Sequence, residues 1–310
     1  MNETDETRAR FLVLSSFAAD ALALGAHWIY DPARIRREFG RVQDLTDPRP
    51  PTYHPHRKRG EFTHYGDQAL VLLRSLAERG GFDEEHFSGR WRALFQGYTG
   101  YVDSATRRTL ENLAAGMPPA EAGSDSGDLG GAARIAPLAF ALRNRPDELS
   151  RAVRRQTALT HRHAEVVAAA ALLARLALEA LAGKRPTEVL SELAADPATE
   201  ERLRRAIREG LASATEETLP AILRFGQACG VESAFPATVH LIARYEENPV
   251  EGLIENVMAG GDSAARGLAA GMVFGAWKGA AAVRGSWVAG MKAAGEIEEL
   301  LDRLERVRPR

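Results

Sequence analysis

Residues 260–279 read GGDSAARGLAAGMVFGAWKG, and this stretch decides the fold. Glycine recurs at 267, 271, 275 and 279, with alanine and large apolar residues between. A spacing of four keeps the small residues on one face of a helix, where a second helix can approach closely, and it does not match the alternation of a strand. Asp262 is a preferred N-cap and would open this helix at Ser263. The preceding pair Gly260-Gly261 also lets backbone N–H groups approach an anion, so Asp262 reads either as a cap or as part of a site.

Outward from this helix the chain keeps the same character. Alanine, leucine, glutamate and arginine dominate, and no stretch shows sustained apolar alternation, which predicts an all-α fold, a single compact multi-helix bundle over 1–310. Helices are expected over 7–24, 67–79, 83–98, 104–115, 132–142, 147–159, 163–182, 186–195, 200–214, 220–226, 236–244, 250–260, 263–279 and 287–306, with 1–6 and 307–310 as flexible ends. Residues 31–66 carry prolines at 32, 48, 50, 51 and 55 and are expected to be irregular loop, a class of segment that often carries function.

The composition narrows the function classes. Forty basic against 42 acidic residues leave a net charge of -2, too little field to gather nucleic acid or an anionic membrane. The basic run His56, Arg57, Lys58, Arg59 reads as solvated surface, or alternatively as a contact for a phosphate-bearing ligand. The apolar windows 166–181 and 267–283 carry Arg175 and Lys278 and read as core helices, not membrane spans. One cysteine, Cys229, rules out an intrachain disulfide and suits a reducing, cytoplasmic setting. Cys229 itself is expected to serve packing.

Four segments set polar groups beside glycine: Ala19 to Asp31, Gly60 to Gln68, Ser126 to Pro137, and Gly260 to Ser263. Together they resemble the ADP-ribosylglycohydrolase family, in order over about residues 10–285. Asp20-Ala21-Leu22 is similar to its early Gly-Asp-Ala-Leu-Gly motif, and Thr63-His64-Tyr65-Gly66-Asp67 falls where the family has Thr-Asp-Asp-Thr. Ser126-Gly127-Asp128 through Arg134 resembles its glycine-rich ribose and phosphate loop, Thr160-His161 its Thr-His, and Gly260 to Ala265 its Gly-Gly-Asp-Thr-Asp-Thr. His27-Trp28-Ile29-Tyr30-Asp31 with Thr63 to Asp67 is closest to a divergent branch that includes the jellyfish J-type crystallins.

The resemblance implies a cleft for ADP-ribose or a related ribosyl nucleotide, and hydrolysis of a glycosidic bond assisted by two Mg²⁺ ions. It assigns Asp20, Ser126, Gly127, Asp128, Gly130, Gly131, Arg134, His161, Gly260 and Gly261 to ligand binding. The reacting centre would hold Asp262, Asp67, His64 and His27, with Thr63, Asp262 and Ser263 the oxygen ligands left for a metal. His64, Tyr65, Ala264 and Ala265 replace acids and a hydroxyl of the two metal motifs, and His27 stands where an acid is often found. Mg²⁺ needs oxygen ligands in near-octahedral array, so three outcomes stay open. The site works by histidine acid–base chemistry without Mg²⁺, it takes a single transition metal through its histidines, or it is a silent cleft of crystallin type.

Overall fold

The computed structural model describes residues 3–307. Helices make up 69% of the described residues, whose β-structure is two isolated bridges, Ser124 with His161 and Asp128 with Gly230. Six helices position the site: α1 (Glu3–Ala23), α2 (His64–Arg79), α3 (Ser104–Ala114), α4 (Ala164–Leu181), α5 (Val231–Arg244) and α6 (Ser263–Lys278). One hydrophobic cluster runs through them from Ala9 to Leu304.

The central contact is α1 against α6, and the glycine stripe explains it. A Cβ on Gly275 would lie 2.1 Å from the Phe11 carbonyl oxygen, and one on Gly271 2.6 Å from that of Ser15. Backbone thus meets backbone across this seam, and a methyl group fits at neither position. The stretch Asp5–Ala26 is apolar and long enough to cross a membrane by length and composition, but 89% of its window is buried inside the fold. It is a core helix.

Several boundaries differ from the sequence reading for local reasons. The expected loop 31–66 contains a helix, Pro32–Phe39, because Asp31 caps it by accepting from Ala33 N at 2.9 Å and Pro32 sits at its first position. The expected helix 132–142 is two, Gly130–Ala133 and Ala136–Ala141, since Pro137 has no N–H to bond back to Ala133. α5 begins at Val231, five residues before Pro236, where Val231 N donates to Gly127 O at 2.8 Å. The last expected helix is also two, Gly285–Gly290 and Ala294–Val307, parted where Lys292 N donates to Gly60 O at 2.8 Å. Residues 3–6 and 307, expected as loose ends, belong to helices, while 1–2 and 308–310 lie outside the described residues.

Candidate active site

Asp20 shows how the fold sets the site. It is fully buried on α1, and its carboxylate accepts from Thr63 N at 2.8 Å and from the Thr63 hydroxyl at 2.6 Å. Thr63 in turn caps α2, accepting from Tyr65 N at 3.2 Å, so that His64 and Tyr65 occupy the first turn at a fixed orientation. Burial pushes the Asp20 carboxyl up to about 7, against the pull of the Thr63 bonds. Asp20, expected to bind ligand, instead holds the start of α2.

The second anchor joins residues 27–29 to the opening of α6. Gly260 and Gly261 both have positive φ, and a Cβ on Gly260 would lie 2.4 Å from Ile29 O. Trp28 N donates to Gly261 O and Gly261 N to Ile29 O, each at 2.9 Å, with Trp28 itself at φ 62°. Trp28 is the one non-glycine residue with positive φ among those described, a conformation that costs of order 1–3 kcal/mol for such a side chain. This short ladder brings His27 against Asp262. Asp262 also caps α6, accepting from Ala265 N at 3.2 Å, so cap and site are the same residue.

The resulting cluster is dense and buried. Asp262 Oδ1 lies 3.0 Å from His27 Nε2, and Oδ2 accepts from the Tyr65 hydroxyl at 3.2 Å. His27 Nδ1 is 2.8 Å from His54 Nε2. His64 Nε2 is 3.2 Å from Asp103 Oδ2 without hydrogen-bond alignment, while the other Asp103 oxygen caps α3 through Thr106 N at 2.6 Å. Trp28 stacks on His27 at 4.3 Å between ring centroids and 25°. Cys229, expected to serve packing alone, sets its thiol against the Asp262 carboxylate and the Trp28 indole, and burial raises its pKa.

These contacts fix protonation. Burial opposes charge on Asp262, but the His27 bond, the nearby Arg266 guanidinium and the Ala265 N–H hold its carboxyl below the usual range. Burial pushes His27 down against the pull of Asp262, and pushes His54 down to about 2. Both imidazoles are therefore neutral at pH 7. An ionised carboxylate only accepts, so His27 donates from Nε2, its Nδ1 accepts from His54 Nε2–H, and the lone pair of His54 rests on Nδ1. That atom is buried with no partner among the described residues.

The remaining expected residues divide. Asp67 turns away from Asp262 and accepts from the Tyr98 hydroxyl at 2.6 Å and from the Arg57 guanidinium. Arg57 thus leaves the basic run, whose other members His56, Lys58 and Arg59 are exposed. Arg134, expected at the ligand, is buried and donates to Gln68 Oε1 and to Thr160 Oγ1, tying α2 to the segment before α4. His161 Nδ1 is 2.9 Å from the same Thr160 hydroxyl, its Nε2 is unpartnered, and burial lowers it to about 3. Gly130 and Gly131 lie under rings, where a Cβ would come 2.2 Å from Tyr65 and 2.5 Å from His161. Ser126 and Asp128 line an open cavity of about 460 Å³ with Ser104, Arg107 and Arg108, and the Gly127 carbonyl receives α5. A larger cavity, about 570 Å³, lies between Pro146–Ala158 and α4 and contains none of these residues. His54 and Asp103 were not singled out by sequence reasoning. The only signal was the Tyr53-His54 pair between prolines in a loop flagged for function.

The donor set does not fit two Mg²⁺ ions. Both oxygens of Asp262 and the Thr63 hydroxyl already have protein partners, and the neighbouring motif positions supply an imidazole, a phenol and two methyl groups. Ser263 Oγ is buried and unpartnered, one neutral oxygen where octahedral coordination needs several. The His27 and His54 nitrogens face each other across a hydrogen bond.

The chain belongs to the ADP-ribosylglycohydrolase family, whose model matches residues 1–310. A solved structure described as an ADP-ribosylglycohydrolase-related protein complex superposes with TM-score 0.78 at 29% identity, covering 99% of each chain. Crystallins J1B and J1A of Tripedalia cystophora are 28% identical over 115 residues and 30% identical over 105 residues. Those matches cover 35% and 33% of this chain, and 34% and 32% of the crystallins' own lengths, about a third of each. An uncharacterized protein of Archaeoglobus fulgidus is 28% identical over 134 residues, 43% of this chain and 42% of its own.

Proposed function

We propose that this protein is a glycohydrolase that cleaves a glycosidic bond of an ADP-ribosyl or related ribosyl nucleotide in the cytoplasm, using a carboxylate–imidazole–imidazole relay in place of paired Mg²⁺. One observation carries the reading: Asp262, His27 and His54 form a continuous buried hydrogen-bonded chain that ends in an unpartnered nitrogen lone pair. Family membership supports the reaction class.

In this reading water attacks the anomeric carbon, its hydroxyl bonds to C1′, and the leaving atom departs with the electron pair of the broken bond. The proton goes to His54 Nδ1, His54 passes its Nε2 proton to His27, and Asp262 stabilises the charge that develops on the relay. Tyr65 and the Ala265 N–H hold the Asp262 carboxylate in place. Ser126 and Asp128, which line the open cavity at the start of α3, would bind the nucleotide portion.

A second reading, a silent crystallin-like protein, draws support from the near-complete burial of the cluster, with His27 2%, His54 1% and Asp262 0% exposed. Titration of ADP-ribose by calorimetry, and assay of ADP-ribosyl conjugates with EDTA and with Mg²⁺, separates the two. Turnover that survives EDTA and is lost in His54→Phe supports the relay, and binding without turnover supports the silent cleft. Turnover only with Mg²⁺ overturns the relay. No binding and no turnover would remove ADP-ribose as the ligand.

A further inference from the structure

Above the relay three rings meet nearly at right angles. Trp28 and Tyr53 lie 5.1 Å apart at 82°, Trp28 and Tyr101 4.7 Å at 76°, and Tyr53 and Tyr101 5.7 Å at 90°. Tyr53 is 52% exposed, so a large aromatic side chain forms the outer wall of the cluster. Directly beneath, His54 and His64 stack 6.2 Å apart, and the Nδ1 atoms of both are buried without partners. Buried polar atoms are nearly always satisfied, so two orphans under one aromatic wall mark a place where something else supplies the partners.

The nearby charges select what that is. Of the carboxylates near the cluster, Asp262 is committed to His27, Tyr65 and Ala265 N, Asp103 spends one oxygen on Thr106 N and sets the other against His64, and Asp128 lines the neighbouring cavity. A guanidinium leaving group, which favours a bidentate carboxylate, finds none at this wall with both oxygens free. Flat faces of tryptophan and tyrosine favour a planar ring, and one with delocalised positive charge most of all.

We infer that the wall formed by Trp28, Tyr53 and Tyr101 is the leaving-group site, and that it takes a flat heteroaromatic base in its cationic, pyridinium-type N-glycosidic form. The inference rests on the glycohydrolase reading for the word leaving group, but binding of the ring is measured without turnover. The chemistry agrees with the relay. Cleavage breaks the bond from C1′ to the ring nitrogen, the electron pair neutralises the pyridinium, and the ring departs needing no proton. The one proton released by water goes to His54 Nδ1, and no general acid is required.

The test is ligand-observed saturation-transfer NMR on the full chain with 1-methylnicotinamide, nicotinamide, adenine and agmatine. The pyridinium probe is expected to bind at least tenfold tighter than agmatine, and Tyr53→Ala and Tyr101→Ala to weaken it at least tenfold. Tyr53→Phe, which keeps the ring, should stay within twofold, and the exposure of Tyr53 makes its variants safe for folding. Agmatine binding as tightly as the pyridinium, wild-type binding in both alanine variants, or no binding of any ring overturns the inference. Tyrosine-dependent binding of adenine without the pyridinium probe makes the wall a nucleobase site and also overturns it. Pyridinium binding with no hydrolysis of any conjugate would leave this inference standing and remove the glycohydrolase reading.

Discussion

Replacing Asp20 by asparagine should change how stability responds to pH more than it changes stability at low pH. Asp20 is completely buried, and burial raises its carboxyl from the ordinary 3.8 to about 7 in the folded protein. A carboxyl raised on folding binds more protons in the folded state, so its contribution is fully present below 3.8 and falls away as pH rises toward 7. At about 1.4 kcal/mol per pH unit the rise corresponds to roughly 4 kcal/mol of unfolding free energy lost between pH 4 and pH 7. Asparagine does not titrate and can still accept from Thr63 N, while its amide group faces the Thr63 hydroxyl oxygen. Urea denaturation of wild type and Asp20→Asn at pH 4.5 and 7.5 checks this, because titrations common to both proteins cancel in the difference. The gap between the two should shift by several kcal/mol in favour of asparagine on going to pH 7.5. Equal pH slopes in the two proteins would refute the reasoning.

Three further outcomes follow from the geometry. Gly275→Ala should lose at least about 1–3 kcal/mol in chemical denaturation because its Cβ would collide with Phe11 O, whereas Gly285→Ala, with open space around it, should be near neutral. Asp262→Ala leaves His27 and the Tyr65 hydroxyl without their acceptor in a buried setting and should cost about 3–5 kcal/mol in the same assay, together with all turnover. His54→Phe keeps the ring stack but removes the terminal nitrogen, so turnover in EDTA should fall about 10²–10⁴-fold while the circular dichroism melt is little changed.

The features legible in the sequence are those whose cause is local. The all-helical class follows from composition and from the absence of strand alternation, and the spacing of Gly267, Gly271 and Gly275 announces a backbone-to-backbone helix contact. Asp262 as an N-cap is likewise a local matter of side-chain reach. Local rules failed where two of them competed. The proline density of 31–66 hid the Asp31-Pro32 helix start, and Pro236 passed for a first helical position when α5 had already begun at Val231.

The polar residues singled out from the motifs were real landmarks, but their assignments depended on partners far along the chain. Asp20 meets Thr63 across 43 residues, and Arg134 meets Gln68 across 66, so two residues expected at the ligand are internal ties. Asp67 lies one turn from His64 on the same side of α2, yet its carboxylate is taken by Arg57 and Tyr98, two residues outside that helix. His54 and Asp103 belong to no periodic pattern and entered the site only because the loop before α2 and the cap of α3 converge on the imidazoles.

By itself, then, the sequence determined the helical architecture, the small-residue face of α6 and the positions of the glycine turns, because each depends on neighbours within a turn or two of helix. Only the tertiary structure decided that His27 bonds to Asp262 across 235 residues and that His54 ends the relay. Which nitrogen stays free depends on which buried groups are brought within about 3 Å of one another, and that proximity is set by the packing of the whole bundle.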